Sequence, residues 1–180
     1  MKKKINKALE VLRNGGIILY PSDTIWGLGC DATNNNAIKK IYAIKKREES
    51  KALISLVANK KQLKNITTTI PGIDITSTPT TVIYPSVTNL HPNLLAKDGS
   101  AAIRIVLDKF CQQLILKFGK AIVSTSANIS GNKSPERFSE ISKEIKNNVD
   151  YIVNLRQNEL MSKSSNIIMI NKDRHIIKIR

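Results

Sequence analysis

The chain has 180 residues, 41% hydrophobic and 4% aromatic, with a formal net charge of +15 from 29 Lys and Arg against 14 Asp and Glu. Such a length and apolar content suit one globular domain over 1–180, with a core of Ile, Val and Leu, and argue against disorder. No apolar run is long enough to cross a bilayer, and the basic opening segment lacks the unbroken apolar stretch of a signal peptide, so a cytoplasmic protein without membrane association is expected.

Taken in chain order, short β runs alternate with helical segments. Ile5 to Leu12 carries apolar residues at helical spacing, and Asn14-Gly15-Gly16 stops it. Ile17 to Tyr20 reads as a buried strand ended by Pro21. The loop that follows, Tyr20 to Asp31, holds Gly27 and Gly29 and leads to a helix from about Asn34 whose apolar face is Ala37, Ile38, Ile41, Tyr42 and Ile44. Leu53 to Val57, Thr80 to Tyr84 and Ala101 to Val106 read as strands, with an irregular Thr- and Ile-rich excursion at Ile66 to Pro79. A helix from Asp108 to Phe118 ends at Gly119, and Ala121-Ile122-Val123 runs into Ser124. Ser134-Pro135 has the form of an N-cap followed by proline at the first helical position, which predicts a helix to about Lys146. Three β runs close the chain: Tyr151 to Val153, Asn166 to Ile170 and His175 to Ile179. The expected architecture is α/β: a twisted sheet with helices packed on it, and mixed, because consecutive strands are not always separated by helices.

Cys30 and Cys111 are too few for a disulfide framework or a zinc site, and His91 and His175 stand alone, so no His-based triad is expected. The positive charge suits a polyanion such as a nucleotide phosphate or RNA, or a compositional bias toward Lys; the placement of particular cations is more informative than the total. Four segments could carry chemistry. Tyr20 to Asp31 follows a strand, and its glycines would let backbone amides approach a ligand; taken alone it reads first as a plain strand-to-helix turn with Asp23 or Asp31 as a cap, and it is neither a Walker loop nor a dinucleotide fingerprint. Lys45, Arg47 and Lys51 could converge on phosphates or be a solvated charge run at a helix end. Ser124 to Gly131 offers neutral hydrogen-bonding groups for a ribose, phosphate or carboxylate, or a self-bonded Ser/Asn turn. Arg104 interrupts an apolar strand and needs an anionic partner, which either a structural carboxylate or a substrate would supply.

Taken together and in order, YPSDTIWGLGCDA, IYAIKKREESKALISLV, AAIRI and STSANISG resemble the YrdC family of threonylcarbamoyl-AMP synthases, from Gly15 to at least Gly131. The resemblance implies a YrdC-like fold with a basic concave cleft. It also implies a reaction of L-threonine, bicarbonate and ATP that gives the adenylate and pyrophosphate, with a separate tRNA threonylcarbamoyltransferase complex as the downstream partner in modifying A37 of tRNA. Carried over by position, Thr24, Arg104, Ser124 and Ser165 would bind threonine. Lys45, Arg47, Lys51, Ser100, Ser126, Asn128, Ser134 and Arg180 would bind ATP, with Lys45 and Arg47 catalytic through charge stabilisation. Magnesium (Mg2+) is expected with ATP, with no ligand set legible. The chain departs from the family at Ser22, often Thr, around Thr78 to Thr81, at Asn166 after Ser165, and at Lys178-Ile179-Arg180, which matches the family's late ATP-contacting arginine only loosely. The rival reading is a non-catalytic module binding tRNA or double-stranded RNA; the scatter of Trp26, Phe110, Phe118 and Phe138 offers it no stacking platform.

Overall fold

The computed structural model describes residues 1–49 and 52–180. In chain order the elements are α1 (Lys2–Arg13), β1 (Ile18–Pro21), β2 (Trp26–Gly29), α2 (Asn35–Lys45), β3 (Ile54–Val57), α3 (Lys60–Lys64), β4 (Thr80–Tyr84), β5 (Ala101–Ile105), α4 (Lys109–Phe118), β6 (Ile122–Ser126), α5 (Lys143–Asn147), β7 (Tyr151–Ile152), β8 (Asn166–Ile170) and β9 (Ile176–Lys178). The described strands form a nine-stranded sheet in the order β7-β1-β2-β6-β3-β5-β4-β8-β9. It is mixed as expected: β1–β7, β3–β5 and β4–β8 are parallel, the other neighbours antiparallel.

Local chemistry sets the helix ends. Asn34 caps α2 by accepting from the Ala37 amide at 3.1 Å, and Asp108 caps α4 by accepting from the Cys111 amide at 2.9 Å. Gly119 then ends α4 at φ 80°, where a Cβ is disfavoured. Ile5, Ala8, Leu9 and Leu12 form the buried stripe of α1, which packs with α4 on one face of the sheet.

Strand alternation divides the core in two. Ile17, Leu19, Val57, Val82, Ile103, Ile105, Val123 and Ile168 point to the face covered by α2 and its neighbours. Ile18, Tyr20, Leu56 and Ile122 point to the face covered by α1 and α4. Along β5, Ile103 and Ile105 enter the first core, so Arg104 between them projects to the opposite face.

Three expectations need correction. Tyr20 to Asp31 is not one ligand loop: Trp26–Gly29 is a strand antiparallel to β1, leaving only 22–25 as the connection. Its two glycines hide it from strand propensity. Ser134 does not open a helix to Lys146. The Glu136 carbonyl accepts from the Met161 amide, its own amide donates to Glu140, and Ile141 is drawn into the core. The segment is a short 3₁₀ turn at Phe138–Glu140 followed by α5, capped by Ser142 at 3.3 Å from the Ile145 amide. The helix α3 carries no strong apolar period and is absent from the sequence reading; Asn59 caps it.

Candidate functional site

Beyond the reach of α1 and α4, the same sheet face opens into a cavity of about 450 Å³. Thr24 and Ser22 come from the β1–β2 connection, Arg104 from β5, and Ser124 and Ser126 from the end of β6. Arg47 lies past α2, Ser165 precedes β8, and Ser134 and Arg180 close the rim; all of these line the cavity. Ile25, Leu53, Ile54, Ile83, Ala102 and Ile167 supply an apolar wall.

Arg104 is the buried centre of one end, with its side chain 4% exposed. Its Nη2 lies 3.2 Å from Asp23 Oδ1, and its Nη1 donates to Thr24 Oγ1 at 3.0 Å. Asp23 Oδ2 also accepts from the Leu107 amide at 2.9 Å, which fixes the carboxylate. The two readings of Arg104 therefore coexist: it has a structural counter-ion and it lines the cavity. Its Nε has no hydrogen-bond partner among the described residues. Nearby, the Tyr20 hydroxyl donates to Ser124 Oγ at 2.9 Å, and Thr81 Oγ1 lies 2.8 Å from Ser165 Oγ. Arg180 Nη2 donates to the Ser165 carbonyl at 3.0 Å, so the chain end folds back onto the site.

The other end differs from the expected clamp. Arg47 faces the cavity and donates to the Ala52 carbonyl at 3.0 Å. Lys45 does not line the cavity. Its side chain is fully buried, and Nζ donates to the Ser126 carbonyl, to the Asn128 carbonyl at 2.7 Å and to Asn128 Oδ1 at 3.3 Å. Its own carbonyl accepts from the Ser130 amide at 2.8 Å. Lys45 thus braces the 126–130 loop, because an ammonium taken from water must find oxygen acceptors. Burial, with the adjacent Arg47 guanidinium adding to it, lowers its pKa to about 7. Asn128 is likewise turned into its own loop, donating to the Ile129 and Asn132 carbonyls at 3.1 and 2.7 Å. Ser100 does not line the cavity; its hydroxyl donates to Asp98 at 2.7 Å. Lys51 lies outside the described residues.

Among the described residues no cluster of three or more His, Cys, Asp or Glu could hold a metal ion. No Asp or Glu lines the cavity among the described residues, and Asp23, which pairs with the cavity-lining Arg104, is committed to it and to the Leu107 amide, so this donor set does not fit a protein-held Mg2+. Cys30 and Cys111 are free and buried, and burial pushes both thiols upward, as in structural rather than reactive cysteines. No helix of the described chain is long and apolar enough to cross a membrane.

Sequence reading missed Thr81, Ser164 and the supporting roles of Tyr20 and Arg156. Arg156, in the left-handed region at φ 51°, donates to the Ser22 carbonyl at 2.9 Å and lies 3.2 Å from Asp108. Thr81 alternates with Val82 across the pleat and could have been found that way; nothing local in the sequence signals Arg156.

The family model for Sua5, YciO and YrdC, described as "Telomere recombination", matches residues 10–180. The chain is 33% identical over 161 residues to the threonylcarbamoyl-AMP synthase of Psychromonas ingrahamii, covering 82% of this chain and 81% of that one. It is 34% identical over 189 residues to the putative threonylcarbamoyl-AMP synthase of Methanocaldococcus jannaschii, covering 97% and 85%. Among solved structures, P. abyssi Sua5 complexed with L-threonine superposes with a TM-score of 0.80 at 22% identity, over 100% of this chain and 54% of that one. The chain therefore spans about half the length of Sua5, and at that identity the likeness establishes the fold.

Proposed function

The chain belongs to the Sua5–YciO–YrdC family, and on that premise we propose that its cavity makes threonylcarbamoyl-adenylate and pyrophosphate from L-threonine, bicarbonate and ATP. The observation that carries the reading is Arg104, buried on the cavity floor, with Thr24 bonded to it and the Ser124 hydroxyl in the same wall. A cation fixed in advance and desolvated beside hydroxyls suits an amino-acid carboxylate. The proteins called threonylcarbamoyl-AMP synthases at 33 and 34% identity supply the activity, and the L-threonine in the P. abyssi Sua5 complex supports the substrate.

The chemistry follows from the groups present. Threonine's amine adds to the carbon of bicarbonate, with loss of water, to give N-carboxythreonine; one oxygen of the new carboxylate then attacks the α-phosphorus of ATP. The bond to the bridging oxygen breaks, and that oxygen leaves with pyrophosphate. No side-chain nucleophile is required; alignment and charge stabilisation carry the barrier. Arg104, Thr24 and Ser124 hold the amino acid at one end. Arg47, Ser126, Ser134 and Arg180 receive the nucleotide at the other, with Arg47 offsetting charge on the phosphates. Lys45 contributes by holding the loop that presents Ser126. Magnesium would be held by the ATP phosphates rather than by a carboxylate cage of the protein, and would supply charge neutralisation there. The adenylate then passes to a tRNA threonylcarbamoyltransferase complex in the cytoplasm for modification of A37.

The test is incubation with ATP, L-threonine and bicarbonate, following pyrophosphate release and the adenylate by mass. Release that depends on threonine and bicarbonate is expected. Absence of threonine-dependent release, together with salt-sensitive binding of duplex RNA, would replace the enzyme with an RNA-binding module.

A further inference from the structure

The donors and acceptors around the amino-acid end of the cavity can be counted to closure. A hydroxyl offers one proton and two lone pairs. Ser22 Oγ donates its proton to the Ile25 carbonyl at 2.9 Å and accepts from the Thr24 amide at 3.2 Å. With its proton committed, its 2.9 Å contact to Thr24 Oγ1 has one consistent direction: Thr24 donates and Ser22 accepts. Thr24 Oγ1 has then spent its proton on Ser22 and one lone pair on Arg104 Nη1. What it can still offer the cavity is a single lone pair.

Ser124 keeps its proton. Its Oγ accepts from the Tyr20 hydroxyl at 2.9 Å, and no other side-chain bond is made by that oxygen among the described residues. The Tyr20 ring is fully buried, and burial drives its phenol far above the ordinary value, so it stays a protonated donor at every physiological pH. Two glycines of β2 permit this reach. Tyr20 pairs with Gly27 across the β1–β2 ladder, and a Cβ on Gly29 would stand 2.8 Å from the ring carbon Cε1. A Cβ on Gly27 would crowd Ser124 Oγ at 3.3 Å.

We propose that Tyr20 is a positioning residue that makes Ser124 a hydrogen-bond donor toward the cavity while Ser22 makes Thr24 an acceptor, so that the site reads its amino-acid ligand by direction. The ligand must bring an N–H or O–H to Thr24, while Ser124 keeps its proton for a ligand acceptor such as a carboxylate oxygen. The inference rests on the threonine reading of this cavity and adds to it the orientation of the ligand and a residue, Tyr20, that acts through Ser124 without lining the cavity.

The test combines threonine titration by calorimetry with the pyrophosphate assay on wild type, Tyr20→Phe, Ser124→Ala and the double variant. Freeing Ser124 to rotate costs one oriented hydrogen bond, so Tyr20→Phe should raise both the Kd and the KM for threonine by about five- to tenfold. The KM for ATP and kcat should change by less than about twofold, because no ATP contact depends on Tyr20. In the Ser124→Ala background Tyr20→Phe should have no further effect, since Tyr20 acts through that hydroxyl. Multiplicative effects in the double variant, an unchanged Kd for threonine, or an equal loss toward ATP would each overturn the proposal. A merely structural hydroxyl would lower the Tm and leave the Kd where it was. Should Tyr20→Phe not fold, Ser22→Ala tests the Thr24 half of the same directional reading: it releases the Thr24 proton and should weaken threonine by a similar factor, and an unchanged Kd refutes that reading. Wild type that binds threonine without releasing pyrophosphate would instead sink the synthase reading and leave the directional test intact.

Discussion

Asp23→Asn isolates the electrostatic core of the site. Asp23 and Arg104 form a pair whose side chains are 8% and 4% exposed, and Asp23 Oδ2 also holds the Leu107 amide. Asparagine retains an oxygen for that amide but removes the counter-ion, leaving a buried guanidinium with the neutral Thr24 hydroxyl as its remaining hydrogen-bond acceptor. An uncompensated buried charge costs about 3 kcal/mol at the lower end of the measured range. In a domain of this size each kcal/mol moves the midpoint by about 2–4 °C, so the Tm should fall by about 6–12 °C. Because the ligand carboxylate would restore an anion beside Arg104, saturating threonine should stabilise the variant more than it stabilises wild type. The assay is thermal unfolding with and without threonine, alongside threonine-dependent pyrophosphate release. A Tm within about 2 °C of wild type would show that the pair contributes nothing net, as exposed pairs often do. A gap that stays unchanged in threonine would remove the amino-acid carboxylate from Arg104.

Other perturbations address other parts of the site. Arg47→Ala should cut kcat/KM for ATP by about tenfold to a hundredfold, since a cavity-facing charge-assisted contact is lost; near-normal steady-state kinetics would take Arg47 out of the phosphate site. Burial lowers the Lys45 pKa to about 7 in the fold, whereas in the unfolded chain the amine keeps its proton up to its ordinary value of 10.5. The unfolded state therefore holds the extra proton between those values, and stability from this group rises as pH rises from 7 to 10.5. Urea unfolding of wild type against Lys45→Met should show wild type gaining relative stability across that window; a constant difference would contradict the lowered pKa. Gly29→Ala should destabilise by about 1–3 kcal/mol, because its Cβ meets Val123 O at 3.0 Å as well as the Tyr20 ring, and circular dichroism melting that matches wild type would refute the close approach.

Much of this protein is settled within the chain itself. Periodicity marks α1, α2 and α4, caps at Asn34 and Asp108 mark the starts of α2 and α4, and the alternation in Ala-Ile-Arg-Ile sets Arg104 apart from Ile103 and Ile105. Ordered motifs were enough to point to the family and to Thr24, Arg47, Arg104, Ser124, Ser126, Ser134, Ser165 and Arg180, which the fold brings to a common cavity. Tertiary structure alone decided what each polar group is free to do. Lys45 stands two residues from Arg47, yet it turns inward because the 126–130 loop offers it carbonyl oxygens, while Arg47 turns to the cavity. Gly29 reads locally as a flexible loop residue, but it is a strand position kept bare by the ring of Tyr20. Motif spacing records which residue types lie close along the chain. Burial and hydrogen-bond direction depend on partners more than eighty residues away, such as Ser124 for Tyr20 and Leu107 for Asp23, and no local signal encodes them.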